Sequence, residues 1–570
     1  MIVNNRMKDK LFIVFAVGIV FILLNCKWEK DYKRAAFLSM QPDTDLILAP
    51  YPFYIFDREA RDAITLSHYS KEEIKNILEE HELSWDTLSE QWKLELEEEN
   101  FTKEVNYTSH YTQYSYDTEI PIWIYGPKWF QNGIYSDEIF QQHIPSIYSK
   151  ILQFDFSNKL SLDAYQKIFR EQNEKPEIIV TIVVDQGGRQ LYKAHKGAYP
   201  FLESLSSNSV YFKKAKVAHL ESHTAVGHMA IGTGAFPKEA RVFSNEIYTY
   251  SEGKVKHRPV YQGTNNSFDL SELNSASFAD EWDLFLNNEP VIISQCYANR
   301  AAVGMAGHGK EFQVKQNKTN PIQPDADFVY WQDVKNLNWS TYTSAFDKPL
   351  ATGKYNLYPF YLANQANIRT HFEVNNPIEF LSKIHHFQGS EFQVRMDGAL
   401  FRDTIEETIL KKNKHKDGKT DLAYLTLKAT DAVGHLYGWE TKEAKQVLQA
   451  TDDEIKRIYD FLKSHYEDNF ILLVTADHGA APMPEISNGL FLTHETFFKS
   501  VNELLPESER NKSSLVKWVT HSQLSLNKDL MKEHHISEEE VIQKILSIEV
   551  NHRKFFRKIW KRDEIPNASF

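Results

Sequence analysis

Residues 178–184 read Ile-Ile-Val-Thr-Ile-Val-Val, a continuous run of apolar and β-branched side chains that ends at Asp185. Such a run is typical of a strand in a parallel sheet, because helices bury both of its faces. Similar runs occur at 291–293, 423–427 and 470–475. The sequence therefore predicts an α/β fold with a largely parallel sheet sandwiched by helices.

The segments around these strands complete the predicted layout. Over residues 441–464, apolar side chains recur at three- and four-residue spacing, which predicts an amphipathic crossover helix. Weaker periodicity over residues 303–415 indicates an insertion that could cover the site, and we place this cap insertion at about 240–420. We expect the core domain to span 177–500, and we expect 501–570, which includes a capped helix start at Ser537, to be its C-terminal helical part.

The composition of the 570-residue chain is that of an ordinary globular protein, with 42% hydrophobic and 25% charged residues. Its net charge of -13 disfavours a nucleic-acid duplex as a partner, because such binding requires clustered lysines and arginines. The short basic tract at 411–416 is interpreted as a solvated loop. An acidic protein can still act on anionic substrates where bound cations reverse the local field.

The N-terminus carries the pattern of an export signal. Residues 11–24 form a 14-residue apolar run behind basic residues, and this run is short for a membrane-spanning helix. Cys26 follows it, as at a bacterial lipoprotein cleavage site, although the preceding asparagine departs from the usual small residue. We expect residues 1–26 to be a signal peptide or lipoprotein anchor, with an uncleaved signal anchor as the alternative. The protein would then be exported and held at the membrane, facing the periplasm or the cell surface.

Side chains that bind metals follow three of the predicted strands. Asp185 ends the first strand, Asp431 and His435 lie just past the third, and Asp477 and His478 follow the fourth. Ligands of an open α/β sheet collect at the carboxyl ends of its strands. Each residue alone would be interpreted as a helix cap or a solvated side chain. Their shared edge favours a metal centre, because carboxylates with imidazoles are a zinc-type ligand set.

Thr224 begins a stretch of small, glycine-spaced residues that continues to Gly234. A helix starting here would present free backbone N–H groups and the positive end of its dipole beside a hydroxyl group. The sequence therefore predicts an anion site with a nucleophile in it. The alternative is a helix that Thr224 merely caps, with glycines at packing contacts.

Taken together, these stretches resemble the alkaline phosphatase superfamily, and in particular its branch of type I phosphodiesterases, nucleotide pyrophosphatases and alkaline phosphatases with a threonine nucleophile. The resemblance rests on the order and spacing of four motifs, at 183–185, 224–234, 430–438 and 475–479. It implies two zinc ions, or other divalent metals in their place. The ligands of the first would be Asp185, Asp477, His478 and the Thr224 oxygen, and those of the second would include Asp431 and His435. Asn245 matches the asparagine that binds substrate in this family.

The second metal in this family has one more ligand, a histidine on a C-terminal segment that nothing after residue 479 matches. A similar segment occurs near the N-terminus, where His110 precedes Tyr116-Asp117 and the strand-like run 120–126. The chain is thus similar to a circular permutant in which 27–157 corresponds to the displaced C-terminal portion and His110 is the missing ligand. The alternative is an unrelated N-terminal domain with a chance pattern, and the family's glycine after this histidine is a tyrosine here.

The resemblance implies hydrolysis of a small phosphorylated substrate through a phosphothreonine intermediate. Monoesterases of this branch resemble one another in having a Lys-x-Arg pair. At the matching positions this sequence has Ala298 and Arg300. Arg300 would therefore bind substrate. The missing lysine favours phosphodiesters or nucleotide pyrophosphates as substrates, because a phosphomonoester dianion loses more electrostatic attraction than a diester monoanion when this positive charge is absent. The alternatives are an alkaline phosphatase acting on phosphomonoesters, a sulfatase-like sister activity, and a non-enzymatic lipoprotein scaffold.

Overall fold

The computed structural model describes residues 27–57, 108–251, 254–263, 267–315, 327–333, 338–347, 353–372 and 384–567. Residues 1–26, including Cys26, lie outside these ranges, so the export signal and the lipid anchor stay predictions. Within the described residues, no helix combines the length and the apolarity that a membrane span requires.

The strands come from all parts of the described chain. In order they are β1 Leu46–Pro50, β2 Ile55–Asp57, β3 Glu119–Tyr125, β4 Gly133–Phe140, β5 Ile178–Val184, β6 Val210–Lys216, β7 Glu246–Ser251, β8 Lys254–Pro259, β9 Ile292–Gln295, β10 Asp327–Asp333, β11 Asn338–Ser340, β12 Asp421–Leu427, β13 Phe470–Thr475, β14 Phe491–Thr493, β15 Val516–Val519, β16 Gln523–Leu526, β17 Glu549–Val550, β18 Arg553–Lys554 and β19 Phe556–Lys561.

Helices flank these strands. The α-helices comprise residues 27–39, Ser115–Thr118, His143–Leu152, Arg189–Ala194, Pro200–Asn208, Thr224–Thr233, Pro237–Ala240, Phe278–Phe285, Asn299–Ala306, Lys310–Lys315, Leu357–Phe372, Ile384–Gln388, Glu391–Ile405, Ala429–Tyr437, Lys442–Tyr466, Pro484–Ser487, His494–Asn502, Lys528–Glu533 and Glu538–Leu546. Short 3-10 turns occur at Asp163–Ile168, Gly353–Tyr355, Lys414–Lys416 and Arg562–Glu564, and a π-helical turn at Glu406–Leu410.

A nine-stranded sheet forms the centre of the molecule, in the order β11-β10-β9-β12-β5-β13-β3-β6-β4. Its strands are parallel except for β11 and β3, which run against their neighbours. Strands β5, β12 and β13 are buried along their whole length, and apolar clusters cover both faces. The predicted α/β class with a largely parallel sheet between helices is therefore confirmed.

The cap insertion predicted at about 240–420 is not a separate unit, because β9, β10 and β11 of this region belong to the central sheet. The run at 291–293 predicted β9, whereas β10 and β11 were not predicted, for a physical reason. Strand β11 has only three residues, and β10 mixes aromatic with polar side chains. Neither therefore shows the continuous β-branched pattern on which the prediction relied.

Residues 501–570 were predicted to be helical. The structure differs, because this part of the chain also contributes three strands to a second, antiparallel sheet. The order is β15-β16-β1-β19, so the N-terminal β1 lies between two C-terminal strands. Leu46 faces both Leu524 and Lys561. These strands are short, and each becomes stable only through a partner that is distant in sequence, which a local pattern cannot reveal.

Candidate active site and metal centre

Strand direction brings the candidate residues to one edge of the central sheet. Strands β5, β12 and β13 are parallel, so Asp185, Asp431 and Asp477, which follow them, meet at their common carboxyl edge. Strand β3 runs against β13, so the residues just before it arrive at the same edge. His110 is among these residues, and it is almost fully buried there. Antiparallel insertion of β3 thus lets an N-terminal histidine join residues that lie far along the chain.

The first group of ligand atoms consists of Asp185, Asp477 and His478, whose ligand atoms lie within 4.8 Å of one another. His478 Nε2 is 3.1 Å from Asp477 Oδ2 and 3.8 Å from Asp185 Oδ1. All three atoms are buried without a hydrogen-bond partner. Burying unsatisfied polar atoms is costly, so three of them facing one point fit a bound divalent cation.

The second group centres on Asp431. Its Oδ1 atom is 3.1 Å from His435 Nε2 and 3.6 Å from His110 Nε2. His110 and Asp431 also form a set with His478, again with ligand atoms within 4.8 Å of one another. The rings of His110 and His478 stack at a centroid separation of 3.6 Å, so the two groups adjoin.

The three imidazoles are oriented alike by backbone carbonyl groups. His110 Nδ1 lies 2.5 Å from the Ser222 carbonyl oxygen, His435 Nδ1 lies 2.8 Å from that of Thr108, and His478 Nδ1 lies 3.0 Å from that of Gly479. Each Nδ1–H can thus donate outward, which leaves the Nε2 lone pair directed at the carboxylates. A metal-binding histidine usually donates its other ring N–H to a carbonyl or carboxylate oxygen in this way. The residues present therefore fit metal ions.

The ionisation of the first group reflects its concentrated charge. Burial and the neighbouring Asp477 raise the pKa of Asp185 well above its usual range. Burial would also raise the pKa of Asp477, but the adjacent His478 imidazole holds it below its usual range. Burial alone would lower the pKa of His478, whereas Asp477 raises it to about 9. A bound cation would replace the His478 proton, because a metal ligand must be deprotonated.

Thr224 is the first residue of the Thr224–Thr233 helix, and the N-cap position belongs to His223. The alternative in which Thr224 caps the helix is therefore wrong. The Thr224 side chain is buried, and its Oγ1 atom lies 3.2 Å from Lys428 Nζ. The helix start thus directs a hydroxyl group, rather than a cap, toward the Lys428 ammonium group.

The two predicted substrate residues are Asn245 and Arg300. Asn245 Oδ1 accepts a hydrogen bond of 2.9 Å from the Ala225 N–H at the start of the helix. Arg300 lies in the Asn299–Ala306 helix, and its buried Nε has no hydrogen-bond partner among the described residues. Its positive charge opposes the rise in the pKa of Lys428.

Sequence reasoning missed Lys428, which is buried at the centre of the site. Its Nζ atom is 2.7 Å from Asp185 Oδ2 and 2.6 Å from Asp431 Oδ2. Burial would lower the pKa of Lys428, but the two carboxylates raise it above its usual value. A signal was present, since Lys428 directly follows β12 and precedes Asp431 by one helical turn.

Gly227 allows the Thr224–Thr233 helix to pack against Asp477, a member of the first group of ligand atoms. A Cβ atom at this position would lie 2.7 Å from Asp477 Cβ and 2.9 Å from the Asp477 carbonyl oxygen. We expect Gly227→Ala to lower the free energy of unfolding by about 1–3 kcal/mol through overpacking. It should also weaken zinc binding, because Asp477 must move. Urea unfolding and zinc titration measure the two effects.

Gly353→Ala is the matched control, because a Cβ atom there would meet nothing within 4 Å. It should leave both quantities unchanged. If the two variants had the same free energy of unfolding and the same zinc affinity, the close packing of the helix against Asp477 would be contradicted.

Comparison with known proteins places these motifs in context. Residues 179–570 match the family described as Type I phosphodiesterase / nucleotide pyrophosphatase. The alkaline phosphatase PhoD of Zymomonas mobilis is 26% identical over 321 residues, which cover 54% of this chain and 54% of that protein. A Myroides odoratus protein named calcium-transporting ATPase is 23% identical over 420 residues, covering 65% and 73%. The chain thus spans about half the length of PhoD.

A solved structure shares the fold. The crystal structure of wild-type alkaline phosphatase PafA superposes with a TM-score of 0.51 at 16% identity, covering 66% of this chain and 77% of that one. At this level of identity the likeness shows the architecture alone. It agrees with the mostly parallel sheet between helices described above.

Proposed function

The chain belongs to the type I phosphodiesterase / nucleotide pyrophosphatase family, and on that premise we propose that it is a metal-dependent hydrolase of phosphate esters. One observation carries the proposal. Two adjoining groups of buried carboxylates and imidazoles meet beside a hydroxyl group at a helix start. A single buried ion pair would be explained by its contribution to the stability of the fold. Here several buried metal-binding side chains meet, and some of their polar atoms have no hydrogen-bond partner, which favours a catalytic site.

Two divalent metals, zinc by the chemistry of the donors, would bind here. Asp185, Asp477, His478 and Thr224 would hold one, and His110, Asp431 and His435 the other. When bound, such metals lower the pKa of a coordinated hydroxyl and neutralise the charge that develops on a leaving oxygen.

The chain's own residues supply the rest of the reaction. The Thr224 oxygen would attack phosphorus, forming the Thr224–phosphorus bond while the bond to the leaving oxygen breaks. The Asn245 side-chain N–H groups and the Arg300 guanidinium would bind the non-bridging oxygens, beside the positive end of the helix, where the Ala225 N–H already donates to Asn245. Attack by water on this intermediate would then regenerate the hydroxyl group and release inorganic phosphate from a monoester substrate, or a phosphomonoester from a diester substrate.

Two observations bear on the charge of the substrate. Ala298 stands where the resemblance leads one to expect a lysine, which favours phosphodiesters and nucleotide pyrophosphates. Lys428, however, places an ammonium group 3.2 Å from the Thr224 oxygen, the proposed nucleophile. This positive charge favours phosphomonoesters, which carry more negative charge than diesters. Hydrolysis of phosphate esters is common to both candidates.

We also propose that the chain is a circular permutant, with His110 as a metal ligand. The proposal is supported by the 3.6 Å approach of His110 to Asp431 and by the insertion of β3 beside β13. It is supported further by β1 and β19, which pair from opposite ends of the chain. Permutation is tolerated where termini lie close together.

The proposed function is tested with a panel of aryl phosphate monoester, aryl phosphate diester and aryl sulfate. We expect the zinc-loaded protein to hydrolyse at least one phosphate ester, a chelator to stop the reaction, and added zinc to restore it. Preference for the sulfate would contradict the proposal and support the sulfatase alternative. Zinc binding without any turnover of phosphate esters would contradict it as well.

A further inference from the structure

The ammonium group of Lys428 has three oxygen acceptors, one for each of its protons. Two are the carboxylate oxygens Asp185 Oδ2 and Asp431 Oδ2, at 2.7 and 2.6 Å, and the third is Thr224 Oγ1, at 3.2 Å. The Lys428 side chain is 2% exposed. A buried lysine with a full set of acceptors has one defined position, so it acts as a fixed charge in the site.

The carboxylates divide their oxygens between the lysine and the proposed metals. In Asp185, Oδ2 faces Lys428 while the unsatisfied Oδ1 faces His478. In Asp431, Oδ2 faces Lys428 while Oδ1 faces His435 and His110. The lysine therefore does not occupy the atoms that would bind metal, and both kinds of cation fit together.

We propose that Lys428 is a catalytic residue that donates a hydrogen bond to the Thr224 oxygen in the free site and, once substrate is bound, to a non-bridging oxygen of the phosphoryl group under attack instead, and that it selects dianionic phosphomonoesters. The inference rests on the proposed function. It assigns the substrate class of that same site.

Geometry supports a contact with substrate. In a reactive complex the phosphorus lies about 3–3.5 Å from the nucleophilic oxygen. The Lys428 ammonium is itself 3.2 Å from Thr224 Oγ1, so the non-bridging oxygens arrive within its reach. Thr224 Oγ1 is also its most distant acceptor, and hence the one most readily exchanged for a phosphoryl oxygen.

The charge of the ammonium decides which ester gains from it. A phosphomonoester carries two negative charges on its non-bridging oxygens, whereas a diester carries one, so an added cation favours the monoester. Lys428 thus compensates for Ala298, the position at which a lysine was expected. Arg300 is the second cation proposed to bind the phosphoryl group.

The test compares Lys428→Gln, which removes the charge, with Lys428→Arg, which keeps it, in the full-length, zinc-loaded protein. Lys442→Ala is the matched control, because the Lys442 side chain is 85% exposed. The measurements are kcat/KM for the aryl monoester and diester, the binding of inorganic phosphate by calorimetry, and zinc content per chain.

We expect Lys428→Gln to lose about 10- to 100-fold more activity toward the monoester than toward the diester, the range for one charged hydrogen bond. Phosphate binding should weaken by a similar factor while zinc content is unchanged. Lys428→Arg should retain the monoester preference, and it serves as the readout if the neutral variant does not fold. An equal loss on both esters, or loss of preference in the folded Arg variant, would overturn the inference. Absence of any phosphate ester turnover by the unmodified protein would instead contradict the proposed function.

Discussion

Replacing Thr224 with alanine is expected to lower kcat for phosphate esters by about 10⁴- to 10⁶-fold, the scale on which removal of a covalent nucleophile acts. The physical reason is that an alanine side chain offers no oxygen to attack phosphorus, so the two-step route through a phosphothreonine is closed. Zinc should remain bound, because Asp185, Asp477 and His478 would still provide three ligands to the first metal. Steady-state kinetics together with metal analysis check both expectations.

Thr224→Ser is the matched variant, because it keeps the oxygen and removes only a methyl group. It should retain activity within about 10-fold, since a serine hydroxyl can serve as the nucleophile. Phosphate transferred from a labelled substrate should be recoverable on residue 224 of the unmodified protein after acid quenching. Near-normal turnover by a zinc-loaded Thr224→Ala variant would remove Thr224 from the nucleophile role.

Replacing His478 with alanine is expected to lower kcat/KM by at least about 10³-fold, because Lewis-acid stabilisation of charge supplies several kcal/mol. His478 belongs to both groups of candidate ligands, and its ring stacks on His110. Its removal should therefore disturb the zinc content of the whole centre. Metal analysis after dialysis should give less zinc per chain than in the unmodified protein.

His465→Ala is the control for this variant, since His465 is an exposed histidine on the Lys442–Tyr466 helix. It should change neither activity nor zinc content. If His478→Ala kept full zinc content and activity, the buried carboxylates and imidazoles would be a structural network rather than a metal centre.

The sequence was informative wherever one strand or one helix carried its own pattern. Strand β5 spans 178–184 and β13 spans 470–475, as predicted, because strands buried on both faces need uninterrupted apolar runs. The helix predicted at 441–464 occupies Lys442–Tyr466, since a single apolar face defines it. The shared edge of the candidate ligands that follow these strands was predicted from the parallel topology.

The sequence was less informative wherever the structure depends on distant partners. The place of β3 between β13 and β6, and of β1 between β16 and β19, results from pairing between segments that are far apart in the chain. No local pattern encodes such a partner. Lys428 was missed because a single lysine after a strand is ordinarily a surface residue, and only the convergence of two aspartates makes its burial favourable.

Anomalous diffraction at the zinc absorption edge, from crystals of the protein grown with zinc, tests the central claim most directly. The account predicts two peaks, the first bound by Asp185, Asp477, His478 and Thr224 and the second by Asp431, His435 and His110, with each ligand atom about 2.0–2.3 Å away. Such a result would establish a two-metal centre completed by a histidine from the N-terminal region. The absence of zinc at this edge of the sheet, or a second zinc that His110 does not touch, would contradict it.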